Sequence, residues 1–128
     1  MLCCNNQVQA AQDGDYTYTV TNDKATITKY TGAGGVVTIP STLGGVSVIS
    51  IGNWAFYVCH SLTSVSLPEG LTNIGENAFN GCSSLTSVCF PQGLTTISNE
   101  AFSYCTSLKR KLPTRFNKYR HLYFCLML

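Results

Sequence analysis

The amino-acid sequence predicts a β-rich solenoid, with one short parallel strand per coil and an N-terminal β-hairpin cap. Three observations carry that prediction. Residues of the same kind recur every 23 positions through the middle of the chain. Within each repeat, apolar and polar residues alternate over a short stretch closed by Pro and Gly, as a strand followed by a turn requires. Only 11% of the residues are charged and 45% are hydrophobic, in a chain rich in Gly, Ser, Thr and Asn, a balance that favours strands and turns over salt-bridged helices. At 128 residues the chain has the size of one domain and can bury a core.

Residues 1–14 open with "MLCCNNQVQAAQDG". The small-residue steps "VQA" and "QAA" suit signal peptidase, but a basic leader and a full apolar stretch are missing. The segment reads as a signal-peptide remnant or as a disordered amino terminus. Residues 15–50 contain, from Tyr16, "YTYTVTNDKATITKYTG", which predicts a hairpin turning at Asn22-Asp23 with Tyr18, Val20, Ala25 and Ile27 on one face.

Residues 51–108 hold the repeats. Ile51, Ile74 and Ile97 form one column, and Ala55, Ala78 and Ala101 a second. Phe56, Phe79 and Phe102, then Cys59, Cys82 and Cys105, then Leu62, Leu85 and Leu108 keep the same step. In "LTSVSLP" the alternation places Val65 and Leu67 on one face and Ser64 and Ser66 on the other. Pro68 ends the strand because it has no N–H for a ladder, and Glu69-Gly70 turns the chain. "LTNI" supplies a second extended piece, and "GENAFNGC" a tight corner that drives Ala78, Phe79 and Cys82 inward. One coil cannot cover its own apolar side, so coils must stack. Apolar residues recurring at this period, with a strand per coil, belong to the leucine-rich-repeat type of solenoid.

The units "IGNWAFYVCHSLTSVSLP", "IGENAFNGCSSLTSVCFP" and "ISNEAFSYCTSL" resemble the BspA-type leucine-rich repeat, whose core is Ile-Gly-x-x-Ala-Phe-x-x-Cys-x-x-Leu in a 23-residue unit. The resemblance covers about residues 36 to 108. It implies that "VVTIPSTLGGVSVISIG" is a degenerate first coil. Pro40 to Ile51 is 11 residues where Pro68 to Ile74 is six, so five extra residues enter that turn.

Residues 109–128 leave the pattern. Where the repeat needs a valine before its Pro, the chain gives "KRKLP". Through Leu108 six acids face Lys24 and Lys29, a net −4, whereas the six basic residues from Lys109 to Arg120 make a block of +6. Such a switch marks a boundary. It reads as the disturbed end of a longer array or as a basic cap over the last coil, and a nucleic-acid role is set aside because the block is short and carries no recognised fold.

Cys59, Cys82 and Cys105 stand at equivalent positions, so they form a column near the ~4.8 Å strand spacing with parallel Cβ vectors, which is poor disulfide geometry. They read as reduced core residues. Cys89 stands where Ser66 stands and reads as an exposed thiol. His60 and His121 are the only histidines, and no spacing suits a metal, so neither metal nor cofactor is implied. Glu76 and Glu100 occupy successive corners and read as solvated carboxylates rather than a catalytic pair. The final "LYFCLML" is too short to span a bilayer, and no transmembrane segment is predicted.

The predicted binding face is the outward strand surface: Thr63, Ser64, Ser66, Thr86, Ser87 and Cys89. The resemblance implies a non-enzymatic, extracellular or cell-surface adhesin-like protein, a fragment of a longer array that meets a protein partner such as host matrix. An inert spacer is the second reading, and self-association through the open end of the solenoid a further expectation.

Overall fold

The computed structural model describes residues 8–108 and the backbone of Phe124–Leu126. Eleven strands form two sheets. In the first, β1 (Gln9–Asp13), β2 (Tyr16–Thr21), β3 (Lys24–Tyr30), β6 (Val46–Ile51), β8 (Asn73–Ile74) and β10 (Thr96–Ile97) lie side by side in that order, and β5 (Thr42–Leu43) pairs with β6. In the second, β4 (Gly35–Thr38), β7 (Leu62–Ser66) and β9 (Ser87–Phe90) run parallel, and β11 (Phe124–Leu126) pairs antiparallel with β9. Each full coil thus carries two strands, because "LTNI" also pairs: Ile51, Ile74 and Ile97 stand opposite one another along β6, β8 and β10.

The hairpin forms where the sequence predicts it. Asn22 and Asp23 take φ of 51° and 59°, the primed turn that suits the twist of two antiparallel strands. Tyr18 then faces Ile27 and Val20 faces Ala25, and Tyr18, Ala25 and Ile27 are buried. β3 continues into the solenoid by pairing parallel with β6, so the hairpin closes one end of the stack. Residues 9–13 add a third strand, β1, exposed throughout. The five extra residues of the first coil are a second small hairpin, β5 to β6, turning on Gly44 (φ 57°) and Gly45 (φ 81°). The Tyr18 hydroxyl fills the space that a side chain at position 44 would need.

The core lies between the sheets and the corners. Phe56 and Phe79 stack at 4.7 Å with 16° between planes, and Phe79 and Phe102 at 5.0 Å with 4°. Tyr30 extends the column at 4.8 Å from Phe56, so the cap supplies the first ring of the stack. Each buried cysteine thiol has a backbone task. Cys82 Sγ–H donates to the Phe56 carbonyl and Cys105 Sγ–H to the Phe79 carbonyl, both at 3.1 Å. Those bonds explain the Phe-to-Cys spacing: the thiol of one coil satisfies a buried acceptor in the coil before it. Cys59, Ile97, Phe102 and Leu108 are only partly buried, whereas the remaining members of their columns are buried.

Gly52 and Gly75 of the Ile-Gly pair mark where coils touch backbone to backbone. A side chain at Gly52 would come within 2.8 Å of the Ile27 carbonyl oxygen. Hydroxyl and amide side chains add rungs at the same 23-residue step: Thr72 and Thr95 donate to the carbonyls of Ile49 and Thr72, and Asn73 Nδ2 donates to Ser50 Oγ.

Candidate functional site: the outward face of the second sheet

The period-2 alternation of β7 and β9 turns Val65 and Val88 into the core, where both are buried, and leaves Ser64, Ser66, Ser87 and Cys89 on the opposite face. The register pairs Ser64 with Ser87 and Ser66 with Cys89. β4 extends the surface, with Val36 opposite Ser64 and Thr38 opposite Ser66. The predicted residues therefore come together on one sheet. Val36, 79% exposed, belongs to this face but carries no repeat signature, since β4 lies ahead of the regular columns.

The hydroxyls are not all free for a partner. Ser64 Oγ and Ser87 Oγ share a hydrogen bond of 2.9 Å, and Thr86 Oγ1 donates to the Thr63 carbonyl at 3.0 Å. All but Thr86 are half-buried. The face is uncharged and polar, and it can offer hydrogen bonds to an extended surface.

Cys89 corrects an expectation. It is disulfide-bonded rather than an exposed thiol, and on the ladder it stands opposite Cys125. The reason is topological: β11 returns antiparallel along β9, a strand that the off-pattern tail did not advertise. The rest of that tail, 109–123, lies outside the described residues, as do Cys3 and Cys4.

The three column cysteines are free thiols. A hydrogen bond with Cys105, reinforced by burial, pushes the Cys82 thiol up to about 12. The bond with Cys82, then burial, pushes Cys59 up as well, while the bond with Cys82 lowers Cys105 and makes it the most acidic of the three. The raised pair, Cys59 and Cys82, stays protonated in the core and offers no nucleophile at neutral pH. His60 turns outward and shares a 3.0 Å hydrogen bond between its Nδ1 and Ser83 Oγ, away from the Cys59–Cys82 contact. Glu76 and Glu100 are exposed on different corner columns. Among the described residues, no three His, Cys, Asp or Glu side chains converge on a metal position, and no helix is long and apolar enough to cross a membrane.

A family model of the BspA type leucine rich repeat region matches residues 36–125 in six copies. The chain belongs to the BspA-type leucine-rich-repeat family. Solved leucine-rich-repeat structures agree with the coil geometry. A leucine-rich repeat protein of T. pallidum superposes with a TM-score of 0.73 at 38% identity, over 78% of this chain and 48% of that one. A leucine-rich cell surface protein of Faecalibacterium prausnitzii gives 0.67 at 38% identity, over 78% and 29%. A leucine-rich repeat protein of Bacteroides capillosus gives 0.71 at 32% identity, over 78% of each chain. This BspA-type chain therefore spans about half the length of the treponemal protein and less than a third of the Faecalibacterium one. No protein of curated function matches it.

Proposed function

We propose that the chain is a non-enzymatic binding module, adhesin-like, that works at a bacterial cell surface or outside the cell and meets a protein partner of the host-matrix or cell-surface kind. The observation that supports this reading is the outward sheet face formed by Ser64, Ser66, Ser87 and Cys89, in register from coil to coil, with Thr63 and Thr86 beside it. A flat face of this kind gains affinity by repetition, because each coil adds a few weak contacts to the same surface. The cell-surface neighbour from Faecalibacterium prausnitzii is in keeping with that location.

Ser64→Lys, Ser66→Lys and Ser87→Lys together leave the core columns and the Cys89 disulfide untouched while crowding the face with charge. Binding to immobilised extracellular-matrix protein should be abolished in this variant with its melting temperature held; unchanged binding would sink the reading. A second reading, an inert spacer in a longer array, is favoured by the Ser64–Ser87 and Thr86–Thr63 bonds, which commit part of the face to the fold. Matrix binding by neither the parent chain nor the variant is its expected result.

A further inference from the structure

β1 is the outermost strand of the first sheet. On one side it pairs with β2, from Gln9 opposite Val20 to Asp13 opposite Tyr16 without a register shift, and no described strand lies along the other side. All of its residues are exposed. The two-residue loop Gly14-Asp15 closes on Asp13 and Tyr16 as a hydrogen-bonded pair. Alternation then directs the N–H and C=O groups of Gln9, Ala11 and Asp13 to β2, and those of Ala10 and Gln12 to the free edge.

Such an edge is a template for another strand unless a lysine, a proline, a bulge or sheer shortness guards it. β1 lacks these guards: "QAAQD" holds no basic residue and no proline. Its one charge, Asp13, is its last residue, and there Oδ2 accepts a hydrogen bond from the Gly44 N–H at 3.0 Å. The other outer strands of the described residues differ. β5 and β10 have two residues each and β11 has three. β4 has four, starts at Gly35 with φ of 76°, carries a register shift beside it, and is followed closely by Pro40. β1 is the longest and most regular free edge among them.

The residue order of β1 selects the occupant. Two copies laid antiparallel about a two-fold axis at Ala11 overlap along the whole strand, with Ala11 facing its own counterpart, Ala10 facing Gln12 and Gln9 facing Asp13. This register matches the groups at the edge. Ala10 and Gln12 become hydrogen-bonded pairs on both sides of the axis, and Ala11 becomes the close, non-hydrogen-bonded pair. At either end a carboxamide meets a carboxylate, Gln9 beside the second oxygen of Asp13. The two aspartates stay about 14 Å apart, four residues along the strands, which exceeds the screening length of about 8 Å in physiological salt. A shift of two residues leaves only 9–11 or 11–13 in overlap, and an odd shift sets edge groups against residues whose groups serve β2.

We propose that the chain self-associates through its capped end, as a two-fold dimer in which β1 of one copy continues the first sheet into β1 of the other. The contact is small, so the dimer is weak and concentration-dependent. It lies at the other end of the stack from the open last coil and apart from the strand face.

Cysteine reporters test the register in the full chain. Ala11→Cys places a thiol on the axis, whereas Gln9→Cys places an equally exposed one two residues off it. Each variant is oxidised mildly with diamide, and the linked peptides are identified by mass spectrometry, which separates them from links through the native cysteines. The link between the two copies of position 11 should exceed that between the two copies of position 9 at least about fivefold, because only the first pair has bridging geometry. The Ala10→Pro/Gln12→Pro double variant removes the two edge donors and no donor to β2. In sedimentation equilibrium the apparent mass of the parent should rise with concentration, and the association constant of the proline variant should fall at least about tenfold with its melting temperature held. Equal links at positions 9 and 11, undiminished self-association in the folded proline variant, or a parent that stays monomeric up to about 1 mM would overturn the proposal. The reporter pair reads the register whether or not the prolines are tolerated. Matrix binding is read with strand-face variants alone, so either surface can fail while the other stands.

Discussion

Replacing Phe79 with alanine tests the aromatic column at its centre. The ring is wholly buried, with Phe56 stacked 4.7 Å away on one side and Phe102 5.0 Å away on the other. Both neighbours belong to coils whose separation is set by backbone ladders, so the stack cannot close over the gap that truncation leaves. A fully buried Phe cut back to Ala costs about 3–5 kcal/mol, of which two ring contacts contribute about 0.5–1.5 kcal/mol each. Phe102 belongs to the same column but is only partly buried, with one stacked neighbour and Phe90 edge-on at 5.8 Å. The same change there should cost roughly half as much, about 1.5–2.5 kcal/mol. Urea unfolding followed by far-UV circular dichroism measures both variants. For a domain held by about 5–15 kcal/mol, Phe79→Ala removes a large share and lowers the melting temperature by about 10–20 °C. A loss under about 1 kcal/mol, or a Phe79→Ala effect no larger than that of Phe102→Ala, would refute the placement of Phe79 as a closed rung.

Three further outcomes follow from single contacts. Asn80 Nδ2 donates to Asn77 Oδ1 at 2.6 Å in the interior; Asn80→Ala strands that acceptor and should cost about 1–3 kcal/mol by urea titration, and a neutral effect would mean that water reaches the pair. Gly34 has φ of 86° and an added Cβ would lie 2.7 Å from Ser61 backbone, so Gly34→Ala should destabilise by about 1–3 kcal/mol; a melting temperature equal to the parent's would contradict that close approach. The raised Cys82 thiol predicts alkaline weakening. Since the folded state keeps the Cys82 proton up to about 12 whereas the unfolded chain releases it near 9, this thiol weakens the fold as pH rises above about 9, and Cys105, lowered by the same bond, acts in the opposite sense at lower pH. Tyr16, pushed up to about 12 by burial and then by Tyr30 and Asp15, acts in the same direction as Cys82. A urea midpoint that holds steady from pH 8 to pH 10.5 would rule this linkage out.

The parts legible in the sequence are those with a period. The Ile, Ala, Phe, Cys and Leu columns map onto rungs because a parallel stack repeats each environment at the repeat length. The Asn22-Asp23 turn is legible because few residues accept two successive left-handed positions. Tyr30 is not legible as the first ring: it precedes Phe56 by 26 residues, off the 23-residue step, and only the geometry of the cap brings it into line. The Cys89 disulfide is hidden for a related reason, since an antiparallel return along β9 obeys no repeat.

The constant step of the register has a genetic consequence. Ser64 faces Ser87, Val65 faces Val88, and Ile51, Ile74 and Ile97 align without slippage. The stretch of gene encoding 23 residues is therefore also one mechanical unit. Recombination between two equivalent points would remove or duplicate a whole coil, joining Cys thiol to Phe carbonyl and ring to ring as before, and would alter the reach of the protein by about 4.8 Å. A shift by a single codon has the opposite effect, turning serines inward and valines outward along every later strand. Length is thus a quantity that this architecture lets evolution adjust in whole steps, at nearly constant local stability.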